Sequence, residues 1–354
     1  MLHPNMSSRS IMLDSIRAVA ISMVLVFHVA VEYDASSIDF VATWFLKYGF
    51  LGVDIFFPLS GFLITRFLIN NHGNSSIKTF FLRRFFRIFP LYIIAVTAYF
   101  IAAKITNHEL DTLNRIWINY LFLTGWFIFV DGRESVPYTI TWSLSVEEFA
   151  YIIFGFASWF LRARFVVILA LLSVLPLIFR FYLIYQGYDN IYFFPLTRLD
   201  SIAIGGLVAV LIRNEIKLLA LLTFSLIFAC VLSGLSYNIA SPLLYTKISL
   251  ITCLLIVIFE TRLFENKLKE NSLLPFKILS VVGFYSYYIY LFHYFNIYFF
   301  LAITEKIHIA NVPFWISVVV CFFATFVQAY FSFRYFEGPM MRFGKSLETW
   351  RPKN

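Results

Sequence analysis

Apolar residues fall along this chain in runs of about 20, the length a helix needs to cross the roughly 30 Å hydrocarbon core of a bilayer. Such runs occupy 11–31, 44–70, 88–103, 136–161, 164–184, 192–212, 216–236, 243–261, 278–302 and 312–334. The pattern predicts an all-α integral membrane protein of about ten transmembrane helices. Polar stretches between the runs are loops, with no internal repeat, low-complexity linker or appended soluble domain. Residues 1–354 therefore read as one membrane domain. The first run follows MLHPNMSSRS almost directly, so a cleaved signal ahead of a soluble protein is not expected.

One apolar stretch breaks the pattern. Residues 116–130, IWINYLFLTGWFIFV, are too few for a span and are interrupted by Gly125. A re-entrant or interfacial segment fits that length better. Loop charge agrees. Basic residues collect in alternate loops: Lys78, Arg83, Arg84 and Arg87, then Arg162 and Arg164, then Arg213 and Lys217. They continue with Arg262, Lys267, Lys269 and Lys277, and end with Arg342, Lys345, Arg351 and Lys353. The opposite loops hold Glu32, Asp34, Asp39 and Asp189. The positive-inside rule then puts both termini in the cytoplasm. Were 116–130 a span, every later basic loop would face outward.

Composition adds a class and removes another. The chain is 60% hydrophobic and only 14% charged, whereas soluble domains carry about 25% charge. Its net charge of +8 sits in loops. No soluble basic domain exists to bind nucleic acid, so none is expected as a partner. Cys230, Cys253 and Cys321 each lie inside an apolar run without metal spacing. They read as small core residues, and no metal is expected.

Candidate chemistry lies in the polar residues that the spans tolerate. An ionisable group at mid-depth costs about 2.5–3.5 kcal/mol or more. The first run, LDSIRAVAISMVLVFH, carries Arg17 and His28 eleven residues apart. That is close to three helical turns, so they share a face about 16 Å apart along the axis. The pair reads either as a functional stripe or as an arginine snorkelling to one interface and a histidine in the opposite headgroups. The second run, GVDIFFPLSGFLIT, holds Asp54, as a buried partner for an arginine or as part of a site.

Next, KTFFLRRFFRIFP presents Arg83, Arg84 and Arg87 within about one helical turn. Guanidinium forks bind phosphates through paired hydrogen bonds, although a plain cytoplasmic anchor explains a basic cluster too. TWSLSVEEFAYIIF carries Glu147 and Glu148, about 100° apart on a helix, so at most one faces the cavity of His28. Depth along the spans sets Asp54, Glu147, Glu148 and His28 in one outer layer and the arginines in an inner one. Arg198 and Asp200 in FFPLTRLDSIAIGG point to different faces and are expected to pair with other helices. His293 in VGFYSYYIYLFHYF reads as a hydrogen-bonded core histidine or as a supporting site residue. Arg334 and Glu337 in FRYFEGPMMRF stand i, i+3, as a local ion pair does. An outer histidine with carboxylates and an inner arginine set describe a cavity suited to proton transfer at one end and phosphates at the other. This distinguishes neither a group-transfer enzyme from a proton-coupled transporter of a sugar or lipid-linked intermediate, although no inverted repeat favours the transporter.

In family order, the stretches LDSIRAVAISMVLVFH, GVDIFFPLSGFLIT, LRRFFRIFPLY, WSLSVEE, RLDSIAIGGL, SYYIYLFH and FEGP resemble the membrane-bound acyltransferase 3 family. The resemblance covers nearly the whole chain and implies a multi-pass protein of the cell inner (plasma) membrane. It implies transfer of an acyl group, most commonly acetyl, from cytoplasmic acyl-CoA (acetyl-CoA) to a hydroxyl of a carbohydrate acceptor. Surface polysaccharide, O-antigen and lipid-linked sugars are acceptors of that class. Carried onto matching positions, the catalytic pair is Arg17 and His28, with Glu147 as the carboxylate that orients His28. The Arg-x-x-Arg motif is Arg84 and Arg87, with Arg83 beside it, as the donor-binding set. Asp54, Glu148 and His293 are possible supporting residues. Two departures stand out: Glu337-Gly338-Pro339 replaces a usual Glu-Arg-Pro, and an SGNH esterase-like domain after the membrane domain is not expected.

Overall fold

A computed structural model describes residues 10–34, 36–71, 74–106, 110–213, 242–260, 274–308 and 312–349. Among the described residues every regular element is helical. In chain order they are α1 (Ile11–Val31), α2 (Phe40–Tyr48), α3 (Gly52–Asn70), α4 (Asn74–Thr106), α5 (Leu110–Leu113), α6 (Trp117–Tyr120), α7 (Thr124–Asp131) and α8 (Trp142–Phe160). There follow α9 (Phe165–Tyr185), α10 (Leu199–Arg213), α11 (Leu244–Glu260), α12 (Leu274–Phe284), α13 (Ser286–Lys306), α14 (Phe314–Ser332) and α15 (Gly338–Thr349).

Among the described residues, six stretches are long and apolar enough to cross a membrane: Ile11–Val31, Phe40–Asn70, Ile77–Thr106, Thr139–Phe160, Arg162–Tyr185 and Phe314–Leu347. A seventh is α12 with α13, if the pair, bent by 66°, counts as one span. The expected spans at 192–212 and 243–261 are here α10 and α11, of 15 and 17 residues. Both are shorter than the roughly 20 residues a perpendicular span needs. The expected span at 216–236, with Cys230, lies outside the described residues.

The 116–130 segment is two short helices, α6 and α7, joined through Phe122 at a left-handed φ of 57°. Buried Asn119 pins it: its amide donates to the Pro137 carbonyl at 2.8 Å and to the Thr141 hydroxyl at 3.0 Å. Tyr92 in turn donates to the Asn119 carbonyl at 2.6 Å. Non-helical backbone at membrane depth survives only where protein satisfies it in this way.

The described chain falls into two compact units, 1–56 with 254–333 and 57–253 with 334–354. In the first, α1 packs on α2, α12, α13 and α14. Beyond buried Asp14 and Ser15, its buried face, Ile21, Val24, Leu25 and Ala30 among others, is apolar. The Ser15 hydroxyl donates to the Phe276 carbonyl of α12 at 2.9 Å. In the second, α10 packs on α9, α7 on α8, and the amphipathic α15 along α4. Gly61 and Gly205 let α3 and α10 touch backbone to backbone: a Cβ on Gly205 would stand 2.0 Å from the Pro58 carbonyl oxygen. Gly155 does the same for α8 against the Phe80 and Phe81 rings of α4.

Candidate functional site

In the first unit the site grows out of α1. Ser10 caps the helix by accepting from the Leu13 amide at 3.3 Å. One turn on, Arg17 Nη1 donates to Asp14 Oδ1 at 2.8 Å. The two side chains are only 12% and 8% exposed, so Asp14 offsets much of the cost of burying the guanidinium. An i, i+3 pair on one helix does this without help from a neighbour.

His28 ends the same helix. Its Nδ1 is 3.0 Å from the Val24 carbonyl oxygen and 3.0 Å from Nε2 of His293, on α13. His293 is fully buried, and its own Nδ1 lies 3.0 Å from the Ile289 carbonyl. Tyr294 and Phe27 stand edge-on to the His28 ring at 4.8 and 4.9 Å between centroids. The α13 helix is itself tied to α14 by a two-way amide pair. Asn296 donates to Gln328 Oε1 at 2.8 Å, and Gln328 donates back to Asn296 Oδ1 at 2.9 Å. His293 is thus no isolated core histidine. Asp54, near the start of α3, is fully buried in this unit.

Two carboxylates border this region at the loop after α1. Burial pushes the Glu32 carboxyl up, against a hydrogen bond from Tyr298 that lowers it. Asp39 caps α2, accepting from the Ala42 amide at 2.7 Å and from Trp315 Nε1 at 2.6 Å. Those two donors, the amide first, hold its carboxyl below the usual carboxylate range.

In the second unit the arginine motif lies on α4, which begins well before the expected 88–103. Arg84 is centred 5.0 Å from the Tyr151 ring and 5.9 Å from the Phe80 ring. Tyr151 donates to Glu147 Oε2 at 2.6 Å, and Arg84 also interacts electrostatically with Glu148. Arg84 of the expected inner set thus lies beside Glu147 and Glu148 of the expected outer one. Tyr151, one turn past Glu147 on α8, carries the contact from the carboxylates to the arginine. Arg83 is exposed and lies over the Phe67 ring at 5.4 Å, while Arg87 is half-buried one turn further on. Glu147 and His28 belong to different units and are described with their own neighbours.

A further buried cluster surrounds the RLDSIAIGGL motif. Asp200 pairs with Arg180 of α9 at 2.8 Å and accepts from the Thr246 hydroxyl at 2.7 Å. As expected, it finds its partner on another helix. Arg198 stacks against the Tyr245 and Tyr192 rings at 4.3 and 4.9 Å. Arg180, an arginine inside an apolar span, carried a signal the sequence analysis passed over. Among the described residues, no group of three His, Cys, Asp or Glu could hold a metal ion.

A family model described as an acyltransferase domain (acyltransferase 3) matches residues 11–334. The chain is 28% identical to the peptidoglycan O-acetyltransferase OatA of Listeria monocytogenes, over 94% of its own length and 56% of that protein. It is 27% identical to the putative peptidoglycan O-acetyltransferase YrhL of Bacillus subtilis, over 93% of its length and 54% of that protein. A putative O-acetyltransferase of Staphylococcus aureus is 25% identical over 96% of this chain and 58% of its own. The chain thus spans a little over half the length of these curated relatives. No solved structure matches it.

Proposed function

This chain belongs to the acyltransferase 3 family, and from that membership we propose that it transfers an acyl group, most commonly acetyl, to a hydroxyl of a carbohydrate. The donor is cytoplasmic acyl-CoA. The acceptor class includes peptidoglycan, the substrate in the names of two relatives, along with surface polysaccharide, O-antigen and lipid-linked sugars. The chain works as one domain of about ten spans in the cell inner (plasma) membrane, with both termini cytoplasmic and 116–130 re-entrant.

Arg84 and Arg87, with Arg83 beside them, hold the donor's phosphates at the cytoplasmic rim through guanidinium forks. His28 takes the acceptor's hydroxyl proton as general base, a role worth about 10²–10⁴-fold. The resulting alkoxide attacks the thioester carbon, and Arg17, about three turns along α1 from His28, positions the donor's arm. The carbon–sulfur bond then breaks, and the thiolate leaves as the thiol with the proton from His28. Glu147 is the catalytic carboxylate of this reading, with Asp54 and Glu148 in support.

The observation that carries this reading is His28 hydrogen-bonded to a second, buried histidine, His293 of α13, while the helix of His28 also bears Arg17 with its own counter-ion. The test is a His28→Ala strain, with mass spectrometry of its surface glycans. The glycan is expected to be made and exported without its acyl mass shift. Loss of the glycan itself would point to export instead.

A further inference from the structure

Two imidazoles in hydrogen-bond contact constrain each other's protons. In the His28–His293 pair, each Nδ1 faces a main-chain carbonyl, Val24 for His28 and Ile289 for His293, both at 3.0 Å. A carbonyl oxygen can only accept, so each Nδ1 must carry a hydrogen to make these contacts. His293 Nε2, 3.0 Å from His28 Nδ1, must then be the acceptor, because a proton there would face another proton. The His28 Nδ1–H is shared between the Val24 carbonyl and His293 Nε2. A neutral imidazole has one N–H, so the lone pair of His28 is on Nε2.

We infer that His293 is a positioning residue for the proposed acyl transfer, fixing His28 in the Nδ1–H tautomer so that Nε2 is the nitrogen that takes the acceptor's proton. The inference rests on the reading of His28 as general base. Its geometric basis is confined to one unit and to helices α1 and α13. The reach is set from both sides. On α1, the i−4 carbonyl fixes the ring plane of His28. On α13, the i−4 carbonyl of Ile289 fixes the ring plane of His293, and the Asn296–Gln328 pair one turn on holds α13 to α14. When Nε2 takes the proton, His28 becomes an imidazolium. Its Nδ1–H bonds to Val24 and His293 then become charge-assisted and shorten, supporting the cation as it forms. Which nitrogen of a histidine is basic is set in this way by what the other nitrogen bonds. A buried neutral acceptor suits the task, because it aligns His28 without drawing the proton permanently away.

The test joins a spectroscopic arm to a kinetic one. Full-length protein with ¹⁵N-labelled histidine is reconstituted in lipid, and the His28 signals are identified by their loss in His28→Gln. The expected spectrum shows His28 protonated at Nδ1 and unprotonated at Nε2, with magnetisation passing between His28 Nδ1 and His293 Nε2. A His28 protonated at Nε2 would overturn the inference, whatever the activity. In the kinetic arm, His293→Phe removes the acceptor, whereas His293→Gln can place an amide oxygen where Nε2 stood. His293→Phe is expected to lower kcat about 10–100-fold, the scale seen when the orienting partner of a metal-ligating histidine is lost, with KM for acetyl-CoA unchanged. His293→Gln is expected to recover most of that loss. Equal losses in the two variants, or a loss carried by KM, would assign His293 a merely structural role. If His293→Phe does not fold, the native spectrum and His293→Gln still decide. If the tautomer is as expected and His28→Ala nonetheless turns over, the tautomer assignment stands and the general-base reading fails.

Discussion

Gly283 stands so close to Asp14 that a Cβ added there would lie 1.7 Å from the Asp14 carbonyl oxygen and 3.1 Å from the Ala18 amide nitrogen. Only glycine lets α12 lie on α1 at that point. The contact falls on the turn of α1 that carries Asp14 and Arg17, so helix spacing and the ion pair are set together. Backbone on both sides leaves nothing flexible to yield. Gly283→Ala is expected to destabilise the protein by about 1–3 kcal/mol, the usual cost of overpacking. It should also lower turnover by displacing Arg17. Thermal melts in one detergent check the first part and acetyl transfer the second. A variant that melts with the wild type would show that α12 can move off α1 freely.

Donor binding and turnover should separate. Arg84→Ala with Arg87→Ala removes two guanidinium groups proposed to hold phosphate, each charge-assisted hydrogen bond being worth about 1.5–3 kcal/mol. Affinity for acetyl-CoA, measured by calorimetry, is expected to fall at least about tenfold. His28→Ala should bind acetyl-CoA as the wild type does and fail to transfer. Equal loss of binding in both variants would sink the division of labour between the two sites.

Much of the helix layout was legible because apolar length is a strong signal. The run 11–31 is α1 residue for residue, and 164–184 differs from α9 by one residue at each end. Breaks were less legible. The bend between α12 and α13 falls in an unbroken apolar run, where Gly283 marks a close packing contact that only the folded chain reveals. The arginine cluster reads as one helical turn in a basic loop ahead of a span at 88–103. It is instead continuous with that span in α4, since arginine is a good helix former and Pro90 sits inside α4 without ending it. Of the candidate site, Arg17 and His28 were legible as charges in a span. Their partners divide by distance along the chain. Asp14, three residues away, was within reach of helical periodicity; His293, which no periodicity links to His28, was not. Tyr151 was invisible for another reason: a tyrosine in an aromatic-rich helix carries no mark of its bond to Glu147.

The Arg180–Asp200 pair predicts an asymmetric stability cost. Both side chains are essentially inaccessible, 2% and 0% exposed. Removing one partner of a buried pair leaves the other charge uncompensated, at about 3–5 kcal/mol. Arg180→Leu strands Asp200 and is expected to lose that much, with poor yield in membranes. The double variant Arg180→Leu, Asp200→Leu leaves neither charge of the pair uncompensated and should recover part of the loss, although the Thr197 carbonyl and the Thr246 hydroxyl lose their partners. Melting temperatures of the purified variants check the order. A double variant less stable than Arg180→Leu would mean that Thr246, which donates to Asp200, dominates the site.

Asp39 predicts a dependence on acid. Its carboxylate caps α2 and accepts from Trp315, and these donors hold its carboxyl below the usual range. The folded state therefore binds a proton there less readily than the unfolded chain does. The stabilisation is present above the unfolded carboxylate value of about 4 and is lost as pH falls through the lower folded value. Asp39→Ala has neither contact. At pH 7 it should melt below the wild type, and the gap should close as pH falls from 5 towards 3. Asp39→Asn keeps an oxygen that can cap α2, so its deficit should be smaller and should not shrink through titration of this position. Melting curves of the three proteins at stepped pH read this directly. Parallel curves for wild type and Asp39→Ala would show that the contacts of Asp39 with Ala42 and Trp315 add no stability.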